Sequence, residues 1–587
     1  MINTPNHNAL DAHHHVPSTA AKAFAVLELH PGFFGRLAEI NFPDSGGIND
    51  RSPDDLSPTP LEDYSQHPEA RESPGYEDYG SILTTGTLSH KLNLNSNISR
   101  SLERRDNDSL IAFYTHTWAK HCLPALHTTF QYLEPAFGPS PVVTDIMISL
   151  SACCLSRRLP QRKVSSSPHN PVTRFRPNNG HESLSYEHYG TVMRRVAGWD
   201  HQAFDTNPVL GLFLLVLFCY LEASMGNFRN FRIHSNAIKI LTEKYSDIVT
   251  LYGADLLAAW VDVEAQNWWR RAYFSTPDFH RDQLNSSSQL LSSSLGLVLQ
   301  ATKNPRASVL LILCESHRLN SAAIVSNWSS IQGDQTVIQS DDPSSPKSVG
   351  LGSTPSTSNI RQHIMHLQVQ SQMLDKWHMS QPASNLPLSE PERDSHTIDR
   401  LSINIIHPLR FASHDAAMNF AYYVTARVMQ CTGPLEQLEQ RLPVEASTAY
   451  EAERWISILI GIATGLDWKE CVRLNVYRVG LANLLLAGAM HCHSLEIGLW
   501  FQSWLERQVE DNDLEEGNFP LSQILDTLYL VNMERSNGWD VIALFQTEDD
   551  GGGSGKFGSY HSQDLRSLTV YGRSRATGEL CVYTRMI

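Results

Sequence analysis

His13-His14-His15 and His491-Cys492-His493 hold the ligand types of a divalent metal site, and a working site needs rigid neighbours to orient each imidazole. The first tract lies in sequence too polar to fold around it and reads as a surface tract. In the second, residues one or two apart on a helix point to different faces, so it reads as a helix end with a buried thiol. Asp54-Asp55, Asp341-Asp342 and Glu548-Asp549-Asp550 carry carboxylates of the kind that hold Mg²⁺ against a diphosphate when they project from helices into a deep cavity. All three lie in Pro-, Ser- or Gly-rich sequence and read as solvated loops. Gly551 to Lys556 has the glycines and lysine of a phosphate loop. Asp550 stands where its first glycine belongs, and Phe557 replaces the Mg²⁺-binding Ser or Thr, so it reads as a linker. No G-x-S-x-G elbow occurs.

Other runs would act by recognition. Trp268-Trp269-Arg270-Arg271 would stack on bases if exposed; on an amphipathic helix it places one indole in the core and leaves an exposed Arg pair. Arg157, Arg158, Arg162 and Lys163 form a short basic run beside a Ser-rich loop and are the candidate nuclear import signal. Tyr76, Glu77, Asp78, Tyr79, Ile82 and Leu83 have the composition of an activation segment, in which acids keep aromatic side chains exposed for a coactivator groove. Ser52, Ser57, Ser73, Ser167 and Ser345 each precede proline and are candidate phosphorylation sites.

The elements around these residues are helices. Val143, Ile146, Met147, Leu150 and Cys154 make one stripe over 141–157, and Leu257, Val261, Ala265, Trp268 and Ala272 make another. Ala417, Phe420, Ala421, Val424 and Val428 form a third, on a helix over 412–430. Further helices are predicted over 183–198, 208–224, 232–245, 359–380, 448–464, 467–491 and 494–510. A hairpin is predicted from Leu568 to Tyr571 and Leu580 to Thr584, turning near Ala576-Thr577-Gly578. The division is 1–105, acidic, Ser/Pro-rich and disordered; 106–331, helical; 332–358, a disordered linker; 359–547, a helical continuation; and 548–587, a Gly-rich tail with the hairpin. The fold class is all-α, one large irregular multi-helix domain.

A hydrophobic share of 41% suffices for a sizeable core. A net charge of −16 argues against docking on nucleic acid by the whole chain, because phosphate binding needs clustered Lys and Arg. The nine cysteines are widely spaced with no C-x-x-C, which reads as free thiols in a reducing compartment. The longest clean apolar run, Val209 to Leu221, is shorter than a bilayer span and fits a buried core helix, so no membrane association is expected.

From Asp108 to Asp278 the order of features resembles the fungal-specific transcription factor domain, the regulatory middle region of zinc binuclear cluster proteins. Leu110 to Tyr114 is similar to that family's first helix, Asp145 to Ala152 to its next apolar helix, and Tyr186-Glu187-His188-Tyr189-Gly190 to the one after. Leu212 to Glu222 followed by His234-Ser235-Asn236-Ala237 resembles its apolar helix and H-x-G-A turn, with Asn236 in place of the glycine. Asn267 to Tyr273 resembles the closing aromatic-basic helix, and Arg473 to Arg478 through Asn537-Gly538-Trp539 the C-terminal halves of such regulators. The family's DNA reader needs six cysteine thiolates around two Zn²⁺ ions, and residues 1–121 contain no cysteine.

The resemblance implies a nuclear transcriptional regulator rather than an enzyme. Its partners would be coactivators or the transcription machinery, and a homodimer would fit. DNA would be reached only through a module outside this chain or a DNA-bound partner. No cofactor is expected here, and zinc only if such a cysteine cluster exists. The other readings are an adaptor without DNA binding and a helical enzyme with an unfamiliar site.

Overall fold

The computed structural model describes residues 108–137, 140–159, 162–164, 174–199, 206–273, 304–332, 347–348, 357–388, 407–433, 435, 438, 446–509, 514–517, 519–546 and 567–586. The histidine tract at 13–15, all three acidic clusters, the Gly551–Lys556 run, the candidate activation segment from Tyr76 to Leu83 and the five Ser-Pro sites lie outside these residues, as do 1–105 and most of the 332–358 linker, of which 332, 347–348 and 357–358 are described.

The first described helix, α1 (108–117), continues into a π-helical turn, Trp118–Cys122. It is followed by α2 (Thr129–Ala136) and α3 (Pro141–Arg158), which begins with Pro141 just inside its first turn, where a missing N–H costs nothing. A short ribbon of β1 (Arg162–Val164) and β2 (Arg174–Arg176) leads to α4 (Asn179–Ala197), which packs along α3. The Asn178 side chain caps α4 by accepting from the Gly180 and His181 amides.

At the centre lies α5 (Pro208–Met225). Every residue from Gly211 to Met225 is buried, as a helix that is apolar all round must be. The thirteen-residue apolar run thus belongs to an 18-residue helix that has the length and hydropathy of a membrane span, but 89% of it is packed inside the protein. Gly226 ends α5 in the left-handed conformation, φ 73°, and Asn227 at once caps α6 (Phe228–Lys244), making a tight helical hairpin. α7 (Ala254–Tyr273), α8 (Pro305–Gln332), α9 (Thr357–Met379), α10 (His414–Gln430) and α11 (Ala446–Gly465) follow, with α8 packed against α7, α9 and α10.

The helix predicted over 467–491 is two: α12 (Trp468–Leu474) and α13 (Leu481–His491), separated at Asn475–Gly480. After α14 (Leu495–Gln508) come the short strands β4 (Glu515–Glu516) and β5 (Phe519–Pro520), and then α15 (Leu521–Ser536). The expected helical continuation does not reach 547, because Trp539–Gln546 is a strand, β6. It pairs antiparallel with β7 (Ser567–Ser574), which pairs with β8 (Leu580–Met586) across a turn where Gly578 has φ 72°. A two-residue strand, β3 (Lys347–Ser348), completes the four-stranded sheet on the β8 edge. Phe545, Tyr571 and Leu580 from the sheet share a buried cluster with Leu319, Ala323 and Leu367 from α8 and α9. From Tyr114 onward the described residues belong to one compact, mostly helical unit with little sheet.

Candidate functional site

Helices distant in sequence meet around a cavity of about 210 Å³. The last turn of α3 supplies Cys154, Arg157 and Arg158, the end of α5 supplies Ser224, the α12–α13 connection supplies Val476 and Tyr477, and the β4 strand and its flanks supply Leu514, Glu515 and Gly517. Two arginines in the last turn of α3 suit the negative end of the helix dipole. Arg157 is buried nonetheless. Its Nε donates to Glu515 Oε2 at 2.8 Å, its Nη2 pairs with Glu515 Oε1, and its Nη1 donates to the Ser224 carbonyl at 2.8 Å. One side chain therefore ties α3, α5 and β4 together.

Behind that pair, Glu516 is fully enclosed. Its Oε1 accepts from Asn475 Nδ2 at 2.7 Å and from the Leu481 amide at 2.8 Å, and its Oε2 from the Ala482 amide at 3.0 Å. The two amides open α13, whose own cap residue is Gly480 and has no side chain to offer; a carboxylate from another strand does the capping. A Cβ on Gly480 would sit 2.0 Å from Glu516 Oε2, so any larger residue there would displace the carboxylate from its hydrogen bonds. Burial pushes the Glu516 carboxyl up to about 7 against the three donated hydrogen bonds, which pull it down. Gly517, φ +67°, turns the chain beside Gly480, and its carbonyl accepts from Gln266 Nε2 of α7 at 2.8 Å. The same Gln266 nitrogen donates to the Val476 carbonyl at 3.0 Å.

The cavity wall also carries a thiol, that of Cys154. Cys122, which closes the π turn, has its Sγ 4.0 Å from Ser151 Oγ, one helical turn before Cys154 on α3. The neighbouring Cys122 and Arg158 side chains hold the Cys154 thiol below the ordinary range, against burial. Cys122 is correspondingly pushed up. Arg158 also reaches His121 Nδ1 at 2.8 Å. Burial and neighbouring cations lower His121 to about 4, so its neutral ring accepts that bond.

A second buried cluster joins α4, α5 and α6. Tyr189 donates to Glu222 Oε1 at 2.6 Å and lies 2.7 Å from His234 Nε2; Asn230 Nδ2 donates to the same carboxylate oxygen at 3.1 Å. Tyr189, Glu222 and His234 are each 1% exposed or less. Ser149 of α3 and Ser185 of α4 exchange hydroxyl-to-carbonyl bonds, each 2.7 Å. Asn236 is exposed, so a side chain fits where the H-x-G-A pattern has glycine.

Two sequence expectations are corrected here. Arg270 and Arg271, expected as an exposed pair, are 1% and 5% exposed. Their guanidinium groups lie over the Phe228 ring at 5.5 and 4.9 Å, Arg270 bonds the Ala223 carbonyl, and both Trp268 and Trp269 are buried; none of the four is presented for stacking on bases. In the basic run, Arg157 is spent on Glu515 inside the fold and is not part of an exposed signal. Arg158 is exposed, and the backbone at Arg162 and Lys163 forms β1. His491 ends α13 with Nδ1 donating to the Ala487 carbonyl at 3.0 Å, and burial pushes Cys492 up to about 11 and His493 down to about 3. Among the described residues no three His, Cys, Asp or Glu side chains group as metal ligands.

The cavity was not legible beforehand, because its walls come from segments more than 300 residues apart. The only signals were the clustered cationic end of α3 and the tandem cysteines at 153 and 154. Compared with protein-family models, with curated proteins and with solved structures, the chain finds no match.

Proposed function

We propose that this chain is the regulatory body of a fungal transcriptional regulator of the zinc binuclear cluster kind, acting in the nucleus and reaching DNA through a separate module or a DNA-bound partner. Its work would be to sense and relay, not to catalyse. The observation that carries this is convergence. The residues on which the family resemblance rests, in Tyr186–Gly190, Leu212–Glu222 and His234–Ala237, include the three that meet in the buried Tyr189–Glu222–His234 cluster. Random apolar similarity gives no reason for the polar members of separate motifs to bond one another inside a core, where each must find a partner.

The cavity supplies the switching element in this reading. Arg157–Glu515 and the Gln266 bonds join early and late helices across it. An effector or partner surface that favours one setting of these contacts shifts the population toward that setting. Chromatin crosslinking of the epitope-tagged full chain in a filamentous fungus tests the proposal. Enrichment at discrete promoters is expected. A signal spread evenly over the genome, with the protein in the cytosolic fraction, would overturn it.

A further inference from the structure

The cavity at the end of α3 has a cation on its wall that no carboxylate matches. Arg157 and Glu515 cancel each other, and the Ser224 carbonyl takes a further Arg157 hydrogen bond. Arg158 lines the same cavity and is exposed. Its Nη1 donates to His121 Nδ1 at 2.8 Å, and that ring is neutral at physiological pH. Among the described residues no carboxylate ion-pairs with Arg158. A guanidinium has five N–H donors, and the His121 bond uses one of them.

Other polar groups of the wall already have partners. The Ser224 hydroxyl donates to the Tyr220 carbonyl at 2.8 Å, and the Val476 and Gly517 carbonyls both accept from Gln266. Much of the remaining wall is apolar: Val472 of α12, Val476, Leu514 and Tyr477. The Tyr477 hydroxyl is enclosed, so the ring is the part that meets the cavity. An apolar wall with a few polar groups that fix orientation is the make-up of a small-molecule site. Size narrows the ligand. A dry cavity of about 150 Å³ holds a benzene ring, so about 210 Å³ has room for such a ring and one carboxylate. We infer that this cavity binds a small monocarboxylate, with its carboxylate on Arg158 and an apolar body of about benzene size against Val472, Val476, Leu514 and Tyr477.

The planar guanidinium fork matches a carboxylate in shape as well as charge. Glu515 limits the ligand to one carboxylate, because its own charge is matched by Arg157 and a second anionic group in the cavity would face it unpaired. The walls come from α3, α5, α12 and β4, so a bound ligand touches early and late segments at once and stabilises the folded chain by mass action. Binding itself stands on this geometry; its service as the effector site rests on the regulator reading.

The test is calorimetric titration of the purified full chain with benzoate and with benzamide, which has the same shape and no charge, at constant ionic strength. Benzoate is expected to saturate one site with a Kd of roughly 1 mM or tighter, an ordinary affinity per atom for so small a ligand. Benzamide should bind about tenfold or more weakly, since it lacks the charge-assisted bonds. Arg158→Gln should weaken benzoate by a similar factor and leave benzamide unchanged. Val472→Phe, which fills the apolar end, should weaken both. No saturable benzoate binding, equal affinity for benzamide, or benzoate binding unchanged in either variant would overturn the inference. If a variant loses its helical circular dichroism, the wild-type comparison of benzoate with benzamide decides. None of these readouts depends on transcription, so failure of the site and failure of the regulator reading are told apart.

Discussion

Arg157 keeps its charge inside the protein because Glu515 and the Ser224 carbonyl complete its hydrogen bonds. Removing one partner of such a pair leaves the other charged and buried, which costs about 3–5 kcal/mol. Arg157→Ala should lower the unfolding free energy by that amount in urea titration, and Arg157→Met combined with Glu515→Met should recover most of it. A loss in the double variant equal to the sum of the two single losses would show that the pair is not coupled. Glu516 adds a pH term. Its folded carboxyl lies near 7 against an ordinary 4.5, so between those values the folded state keeps a proton that the unfolded state has released. Stability therefore falls as pH rises through that window, by about 3 kcal/mol. Glu516→Gln should remove this slope, read as the difference between wild type and variant across pH 4.5–7; parallel curves would contradict it. At this scale the sequence was partly readable. Arg157 could be seen as a cation but not as a buried one, since Glu515 lies 358 residues away. The buried arginines at 270 and 271 were missed because Phe228, on which they rest, belongs to another helix.

Among the elements, α13 depends on a cap that comes from outside it. Gly480→Ala would drive a Cβ into the Glu516 carboxylate and should uncap α13, lowering stability by roughly 1–3 kcal/mol or more through lost hydrogen bonds to a charged group. A thermal melt of Gly480→Ala matching wild type would contradict that geometry. Between α4, α5 and α6, Tyr189→Phe removes the donor to Glu222 and the contact with His234, and a loss of about 1–3 kcal/mol is expected in the same assay. The helices with strong local signals were legible in the sequence: 141–157 against Pro141–Arg158, and 208–224 against Pro208–Met225. Proline at the first turn marks the start of both, and Asn207 and Gly226 mark the ends of the second. The break in 467–491 was not legible, because it serves Glu516 rather than any local preference. Strand β6 was missed for a similar reason. A register shift between Val541 and Ala543 interrupts its alternation, and its partner strand begins at Ser567.

The described residues form a mostly helical body, and Arg157–Glu515 and Gln266 to Val476 and Gly517 bridge the seam between its early and late segments. All-α class and buried apolar α5 followed from composition and periodicity; the cavity arose only from how distant segments pack. A regulator needs such a seam to have two settings, and a sequence pattern does not show which contacts are adjustable. The central claim, that the chain regulates transcription, is tested most directly by fusing the full chain to a heterologous DNA-binding domain and measuring a reporter with that domain's sites upstream, beside the domain alone. Output is predicted to rise or fall well beyond that of the domain alone, and to change again in Tyr189→Phe. Output equal to the domain alone, from a fusion shown to be folded and nuclear, would contradict the account.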